Sequence, residues 1–168
     1  GLDGLITCAG VGSNVPNHPL ITQVNFYGTT ELIAGLKDSL ALKRGAIVIV
    51  SSNSAPMNNS PEFVELLLQG EQDKAVSFSE TIAAQEVYSG TKLAVARWMR
   101  SQTADFAAQG VRMNAIAPGY TQTPMTEQVE KDPTYGPAIK QFMESIPVGF
   151  PGKPEDQAQA TCFLLSDA

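Results

Sequence analysis

The stretch A-I-V-I-V, Ala46 to Val50, decides the fold. A short apolar run rich in β-branched residues is typical of a strand that is buried on both faces of a parallel sheet. Gly45 stands before it, and the polar residues S-S-N-S at 51–54 follow it. The stretch therefore predicts a central parallel strand whose carboxyl end opens into a polar loop.

Further strands and helices are predicted on both sides of this strand. Leu5 to Ala9 and Val111 to Ala117 are apolar runs that predict two more buried strands. Helical spacing of apolar residues predicts helices over Leu20 to Leu42 and over Gln85 to Gln109, and a last helix within Pro151 to Ser166. This alternation implies right-handed crossovers and an α/β fold with a doubly wound, Rossmann-like parallel sheet.

We expect residues 1–168 to form a single incomplete domain of this kind, truncated at both ends. A buried parallel strand so close to residue 1 needs neighbours on both sides, and no glycine-rich phosphate-binding turn precedes it. Two segments interrupt the alternation. Residues 56–84 predict a helical insertion near the active crevice, with short helices at Glu62 to Gln69 and Glu71 to Phe78, and residues 120–150 predict a substrate lid.

The composition excludes several classes of protein. The net charge is −6 and the chain has no basic run, so we expect no nucleic-acid partner. No apolar run approaches the ~18 residues of a membrane span, and no secretion signal opens the chain, so we expect a cytoplasmic protein. Cys8 and Cys162 are too few for a disulfide framework, and we expect both to be buried. With His18 as the one histidine, no metal site is expected.

Tyr88 and Lys92 stand four positions apart in Y-S-G-T-K, near the start of a predicted long helix. Four residues are about one helical turn, so both side chains lie on one face. A neighbouring ammonium favours the phenolate and lowers the pKa of a tyrosine, and such a pair can exchange a proton with an alcohol or carbonyl. Taken alone the spacing is weak, because any long helix can contain it.

Other polar residues are predicted at the same edge of the sheet. Ser52 follows the central strand, where open α/β sheets bind their ligands, although a serine there can also be an ordinary loop residue. Asn25 lies in the first long helix and can hold a water or satisfy local backbone. A hydrolase with Ser52 as nucleophile is disfavoured, because the chain has no G-x-S-x-G elbow and no fitting histidine. After the third strand come the turn residues Pro118 and Gly119 and then Thr121 and Thr123.

In combination, these motifs resemble the short-chain dehydrogenase/reductase family over nearly the whole chain. The matching stretches are T-C-A-G at 7–10, V-N-F-Y-G at 24–28, I-V-S-S at 49–52, Y-S-G-T-K at 88–92, R-M-N-A-I-A-P-G at 112–119 and G-K-P-E-D at 152–156. Within the family, C-A-G, V-N-F-Y-G-T-T-E-L and the 36-position separation of Ser52 from Tyr88 are similar to the 3α-hydroxysteroid dehydrogenase/carbonyl reductase branch.

The resemblance implies an oxidoreductase that transfers a hydride between a nicotinamide cofactor, NAD or NADP, and an alcohol or ketone such as a hydroxysteroid or another bulky carbonyl compound. Tyr88 would be the acid or base, Lys92 would bind the nicotinamide ribose and lower the pKa of Tyr88, Ser52 would orient the substrate oxygen, and Asn25 would hold a relay water. The cofactor contacts it implies are Ala9, Gly10, Tyr88, Lys92, Pro118, Gly119, Thr121 and Thr123.

The family's glycine-rich nucleotide turn is missing from the sequence, so the alternative is a non-catalytic scaffold or an inactive fragment of the same fold. Members of the family often associate through their two long helices, and we expect a homodimer or homotetramer. If the insertion at 56–84 covers that surface, the last helix, Pro154 to Ser166, is the expected dimer interface.

Overall fold

The computed structural model describes residues 1–131, 133 and 136–167. Within these residues, the strands β1 (Gly4–Thr7), β2 (Ala46–Val50) and β3 (Arg112–Ile116) form one sheet in the order β1-β2-β3. Both pairs of strands are parallel, and Ile47 stands opposite Leu5 on one side and Met113 on the other. The predicted central strand is confirmed.

The side chains of β2 alternate between two packed faces of the sheet. Ile47 and Ile49 belong to the main core, which the helices that connect the strands cover. Val48 is also fully buried and belongs to the opposite face, where the last helix, α9 (Pro154–Leu165), packs against β2 and β3. Helices therefore cover both faces of a parallel sheet, and the doubly wound α/β prediction is confirmed.

The first strand differs from its prediction in extent and in burial. It was expected to be a buried strand over Leu5 to Ala9, but β1 ends at Thr7 and Ile6 is 41% exposed. Among the described residues, β1 pairs only with β2, so one edge and part of one face have no covering element. The apolar run of this strand still suits a second neighbour, as the expected truncation of the sheet implies.

The first long helix is interrupted, which corrects the prediction of one helix from Leu20 to Leu42. It consists of α1 (His18–Thr22), a π-helical turn (Gln23–Tyr27), α2 (Gly28–Gly35) and α3 (Lys37–Ala41). The break falls at Leu36, with φ −102° and ψ 3°, directly after Gly35. A glycine at that point weakens the helix because it loses the most backbone entropy on folding.

The remaining helices lie close to their predicted positions. They are α4 (Pro61–Leu68), α5 (Gln72–Ser79) and α6 (Ala84–Ala107), followed by α7 (Pro124–Glu130) and α8 (Gly136–Glu144). Gly70 and Gly110 follow α4 and α6 with φ of 74° and 79°, the left-handed conformation that commonly ends helices. Residues 132, 134 and 135 of the predicted lid lie outside the described residues.

The inserted helices pack against α6 through one close contact. Phe63 of α4 is fully buried, and a Cβ placed on Gly90 of α6 would lie 2.7 Å from its Cδ1 atom. Phe63 also stacks on Phe78 of α5, with ring centroids 6.4 Å apart. The absence of a side chain at Gly90 therefore allows the insertion to approach the helix that bears Tyr88 and Lys92.

Gly90→Ala is expected to destabilise the protein by about 1–3 kcal/mol, because the added methyl group overlaps the Phe63 ring. Urea denaturation measures the loss. Gly35→Ala is the matched control: it is also helical and nothing lies within 4 Å of its Cβ position. A Gly90→Ala variant as stable as the Gly35→Ala variant would contradict the packing argument.

Candidate active site

One cavity of about 690 Å³ lies at the carboxyl ends of the strands, between the sheet, α6 and α9. Eight of the ten predicted site residues line it: Gly10, Ser52, Tyr88, Lys92, Pro118, Gly119, Thr121 and Thr123. The loops after β1, β2 and β3 and the start of α6 all meet here, as the topology of a parallel sheet requires. No residue of the 56–84 insertion lines the cavity.

The two other predicted residues, Ala9 and Asn25, do not line the cavity. Ala9 is exposed beside it. Asn25 is 1% exposed, and its amide accepts a hydrogen bond from the Val11 N–H (2.8 Å) and donates one to the Val11 carbonyl oxygen (3.0 Å). It also donates to the Thr91 hydroxyl at 3.4 Å. Asn25 therefore braces the loop after β1 against α6, and its predicted role in holding a water stays a prediction.

Lys92 is the buried cation of the site. Its side chain is 6% exposed, and its ammonium donates to the carbonyl oxygen of Val50 over 2.9 Å. The Ser51 hydroxyl donates in turn to the carbonyl oxygen of Lys92 over 2.8 Å. Burial lowers the pKa of Lys92 from 10.5 to about 8, and the nearby Cys8 thiol opposes that shift.

Tyr88 is a partly buried phenol. Burial raises its pKa above the ordinary value of 10, and a hydrogen bond with the Ser52 side chain lowers it. The ammonium nitrogen of Lys92 lies 5.9 Å from the centroid of the Tyr88 ring. Ser52 therefore lowers the pKa of Tyr88. The Lys92 ammonium is bonded to the Val50 carbonyl oxygen, and its predicted effect on the pKa of Tyr88 stays a prediction.

Ser52 sits in a short polar turn directly after β2. Its hydroxyl oxygen accepts hydrogen bonds from the Ser54 backbone N–H (3.2 Å) and from the Ser54 hydroxyl (3.0 Å). The turn is closed by backbone as well, since the Ala55 N–H donates to the Ser52 carbonyl oxygen at 3.1 Å. The serine predicted at the crevice therefore lies there, and these hydrogen bonds hold its hydroxyl group and its backbone.

The threonines of the third loop form a compact polar wall. Thr121 is 9% exposed and its backbone pairs with Gly152 in a parallel bridge, which joins the two ends of the 120–150 segment. Thr126, which the sequence analysis missed, accepts from the Thr123 N–H (2.9 Å) and donates to the Thr121 carbonyl oxygen (2.7 Å). The signal was available: Thr123 followed by proline and a polar residue three positions later is a helix N-terminal pattern.

Both cysteines line the cavity and are exposed, which corrects the expectation that they are buried. Cys8 directly follows β1. Cys162 lies on the side of α9 that faces it, as do Gln157 and Thr161. Sequence reasoning missed these α9 residues, because the spacing within the helix does not show which face borders a cavity.

Among the residues that the structure describes, no three histidine, cysteine, aspartate or glutamate side chains gather into a metal-binding group. None of the helices in this described part of the chain combines the length and apolar character that crossing a membrane requires.

Comparison with known proteins shows clear relatives. Residues 74–168 match the family described as enoyl-(acyl carrier protein) reductase. The chain is 36% identical to the 3-alpha-hydroxysteroid dehydrogenase/carbonyl reductase of Comamonas testosteroni, over all of this chain and 67% of that protein. It is 30% identical to the vibriobactin-specific 2,3-dihydro-2,3-dihydroxybenzoate dehydrogenase of Vibrio cholerae, over 99% of this chain and 60% of that protein.

A solved structure agrees with this similarity. The 3-alpha-hydroxysteroid dehydrogenase of Pseudomonas sp. B-0831, complexed with NADH, superposes with a TM-score of 0.93 at 36% identity. The match covers 99% of this chain and 66% of that one. The chain thus spans about two thirds of the length of these dehydrogenases.

Lys92→Met is expected to raise stability at neutral pH, because an apolar side chain replaces a buried ammonium. The pKa of Lys92 is lower in the folded chain than its ordinary 10.5, so between about pH 8 and 10.5 the unfolded chain binds more protons and the wild type gains stability as pH rises. The stability difference between variant and wild type should shrink by about 3 kcal/mol across that window.

Urea denaturation at a series of pH values measures this difference. Lys74→Met is the control, since the Lys74 side chain is 68% exposed and its loss should leave the pH profile of stability unchanged. A constant difference between Lys92→Met and wild type would show that Lys92 is not held as a desolvated cation.

Proposed function

The chain belongs to the short-chain dehydrogenase/reductase family, and on that premise we propose that it acts as an NAD(P)-dependent alcohol dehydrogenase or carbonyl reductase. The observation that supports this most directly is the meeting of Ser52, Tyr88 and Lys92 in one cavity of about 690 Å³. A proton donor, a second hydroxyl and a buried cation are the groups that reduction of a carbonyl needs from the protein.

The residues of the cavity fit a nicotinamide coenzyme. Gly10 leaves space beside the site: a Cβ there would lie 3.7 Å from both Asn25 Oδ1 and Lys92 Nζ. The Lys92 ammonium and the hydroxyl groups of Thr121 and Thr123 border the same space and can bind a ribose and an amide. When bound, the coenzyme supplies or accepts the hydride. We favour NAD because the similar Pseudomonas enzyme was solved with NADH, and NADP is the alternative.

Tyr88 is the proposed acid and base. Because burial raises its pKa, the phenol is protonated at neutral pH and can donate its proton to a carbonyl oxygen. Ser52 donates a second hydrogen bond to the same oxygen and holds it beside Tyr88. Lys92 contributes its positive charge, which favours the phenolate left after proton transfer.

The proposed substrates are alcohols and ketones with a bulky apolar body, hydroxysteroids among them. Ile116, Pro118 and Pro124 give the cavity an apolar wall next to the hydroxyl groups of Ser52 and Tyr88. Residues 120–150, which supply Thr121, Thr123, Pro124 and Thr126 to the cavity lining, are the proposed lid over the substrate.

Tyr88→Phe is expected to lower turnover by at least about 10²-fold with little change in coenzyme affinity, because the phenol moves a proton and adds little to binding. The experiment uses the whole protein that the gene encodes. Turnover is measured as carbonyl reduction, followed through the oxidation of NADH and NADPH. A fluorescence titration measures coenzyme affinity.

Tyr27→Phe is the matched control, since it removes a buried hydroxyl that has no hydrogen-bond partner among the described residues and does not line the cavity. Its turnover should stay within a few-fold of wild type. Equal turnover of Tyr88→Phe and wild type would refute the assignment, and coenzyme binding without any turnover would favour the scaffold alternative.

We also propose that the protein forms a homodimer through α9. The insertion covers part of α6, where Phe63 packs on Gly90 and Glu65 Oε1 lies 3.1 Å from the Arg97 Nη1 atom, so that helix is less free to meet a second copy. On α9, the Phe163 side chain is 65% exposed. A large apolar side chain at that exposure is suited to an interface between subunits.

Phe163→Glu is therefore expected to reduce the mass in solution from dimer to monomer, because it places a charge in the proposed interface. Light scattering coupled to size exclusion measures the mass. Leu32→Glu, at a side chain 46% exposed on α2, is the control and should remain dimeric. A tetramer in the wild type, or a monomer produced by Leu32→Glu instead, would show that the long helices form the interface.

A further inference from the structure

We infer that Ser54 is a positioning residue that forces the Ser52 hydroxyl to act as a hydrogen-bond donor toward the reacting oxygen. This inference rests on the proposed function and deepens it. Ser54 is 8% exposed and does not line the cavity, so it acts through Ser52 and not on the substrate.

A hydroxyl group can donate one hydrogen bond and accept two. The Ser52 oxygen accepts from the Ser54 backbone N–H at 3.2 Å and from the Ser54 hydroxyl at 3.0 Å. Both acceptor positions are therefore filled by the same residue. Only the donor position of the Ser52 hydroxyl remains free, so any further hydrogen bond of this group must be one that it donates.

The recipient of that proton lies in the cavity. Ser52 and Tyr88 line the same cavity, and a hydrogen bond with the Ser52 side chain lowers the pKa of Tyr88, because donation to the phenolic oxygen favours the charged phenolate. The same proton can be donated to a carbonyl oxygen placed between the two side chains. Without the Ser54 hydroxyl, one lone pair of Ser52 is released, and the hydroxyl can rotate to accept a hydrogen bond from Tyr88.

Backbone hydrogen bonds hold the turn, so the effect of the Ser54 side chain on Ser52 can be distinguished from a structural role. The turn is held by the Ala55 N–H donating to the Ser52 carbonyl oxygen (3.1 Å) and by the Met57 N–H donating to the Ser54 carbonyl oxygen (2.9 Å). Neither bond needs the Ser54 side chain. Removal of its hydroxyl should therefore leave the turn folded and change only the hydrogen bonding of Ser52.

The first experiment titrates Tyr88 without coenzyme or substrate, by the ultraviolet difference absorbance of tyrosinate. Subtraction of the Tyr88→Phe titration isolates the signal of this residue. Ser54→Ala should move the Tyr88 titration to higher pH, and Ser54→Thr, which keeps the hydroxyl, should restore the wild-type curve. Ser60→Ala is the matched control: it removes a serine hydroxyl that accepts from the Phe63 N–H (3.3 Å), outside the cavity, and should not move the titration.

The second experiment measures turnover in a double-mutant cycle. Ser54→Ala should lower kcat about fivefold, the effect of one hydrogen bond, with the KM for coenzyme unchanged. In a Ser52→Ala background the same substitution should have no further effect, because its action passes through the Ser52 hydroxyl.

The inference is overturned if Ser54→Ala titrates like wild type, if its effect on turnover persists in the Ser52→Ala background, or if it fails to fold while Ser60→Ala folds. The titration requires no catalysis. A shifted Tyr88 titration in a protein without dehydrogenase activity would therefore overturn the proposed function and leave the hydrogen-bond assignment standing.

Discussion

Two hydrogen bonds tie Lys92 to the end of the central strand, and the geometry of the cavity depends on them. The Lys92 ammonium donates to the Val50 carbonyl oxygen, and the Ser51 hydroxyl donates to the Lys92 carbonyl oxygen. Lys92 of α6 is thus joined through its side chain to Val50, the last residue of β2, and through its backbone to Ser51, which directly follows the strand. The same contacts set the distance between Ser52, which follows on the strand side, and Tyr88, one turn earlier on the helix.

This arrangement buries the charged ammonium group of Lys92 at the centre of the fold. A buried ammonium is unfavourable in a low-dielectric environment, and the single carbonyl oxygen of Val50 replaces only part of its hydration. The surrounding structure offsets that cost through apolar burial: Ile47 and Ile49 of β2 and Val95 of α6 are at most 1% exposed. The insertion adds to this packing through Phe63, which presses on Gly90 within the Y-S-G-T-K motif itself. Apolar packing on one side of α6 thus offsets the free-energy cost of the buried charge on the other side.

How much of this could be predicted from sequence depends on how local each signal is. The central strand and α6 follow from the apolar pattern of short windows, and Tyr88 and Lys92 follow from a four-residue spacing on that helix. Asn25 was singled out as a polar residue of the first long helix, but its partners on Val11 lie 14 positions away in sequence, and only the fold brings them together. The exposure of Cys8 and Ile6 depends on which elements cover β1, and that information is absent from the strand's own residues.

The acidity of Tyr88 shows the same dependence on context. The spacing of Tyr88 and Lys92 suggested that the cation lowers the pKa of the phenol, but the Lys92 ammonium is bonded to the Val50 carbonyl oxygen, and two further influences on that pKa come from elsewhere. Burial raises the pKa of Tyr88 and one hydrogen bond from Ser52 lowers it. Since desolvation comes from the whole packed environment, it is hard to change at a single position. A hydrogen bond set by a short polar turn can be changed by a single substitution, so the loop after β2 is a part of this chain through which the acidity of the proposed catalytic phenol can be adjusted without rebuilding its core.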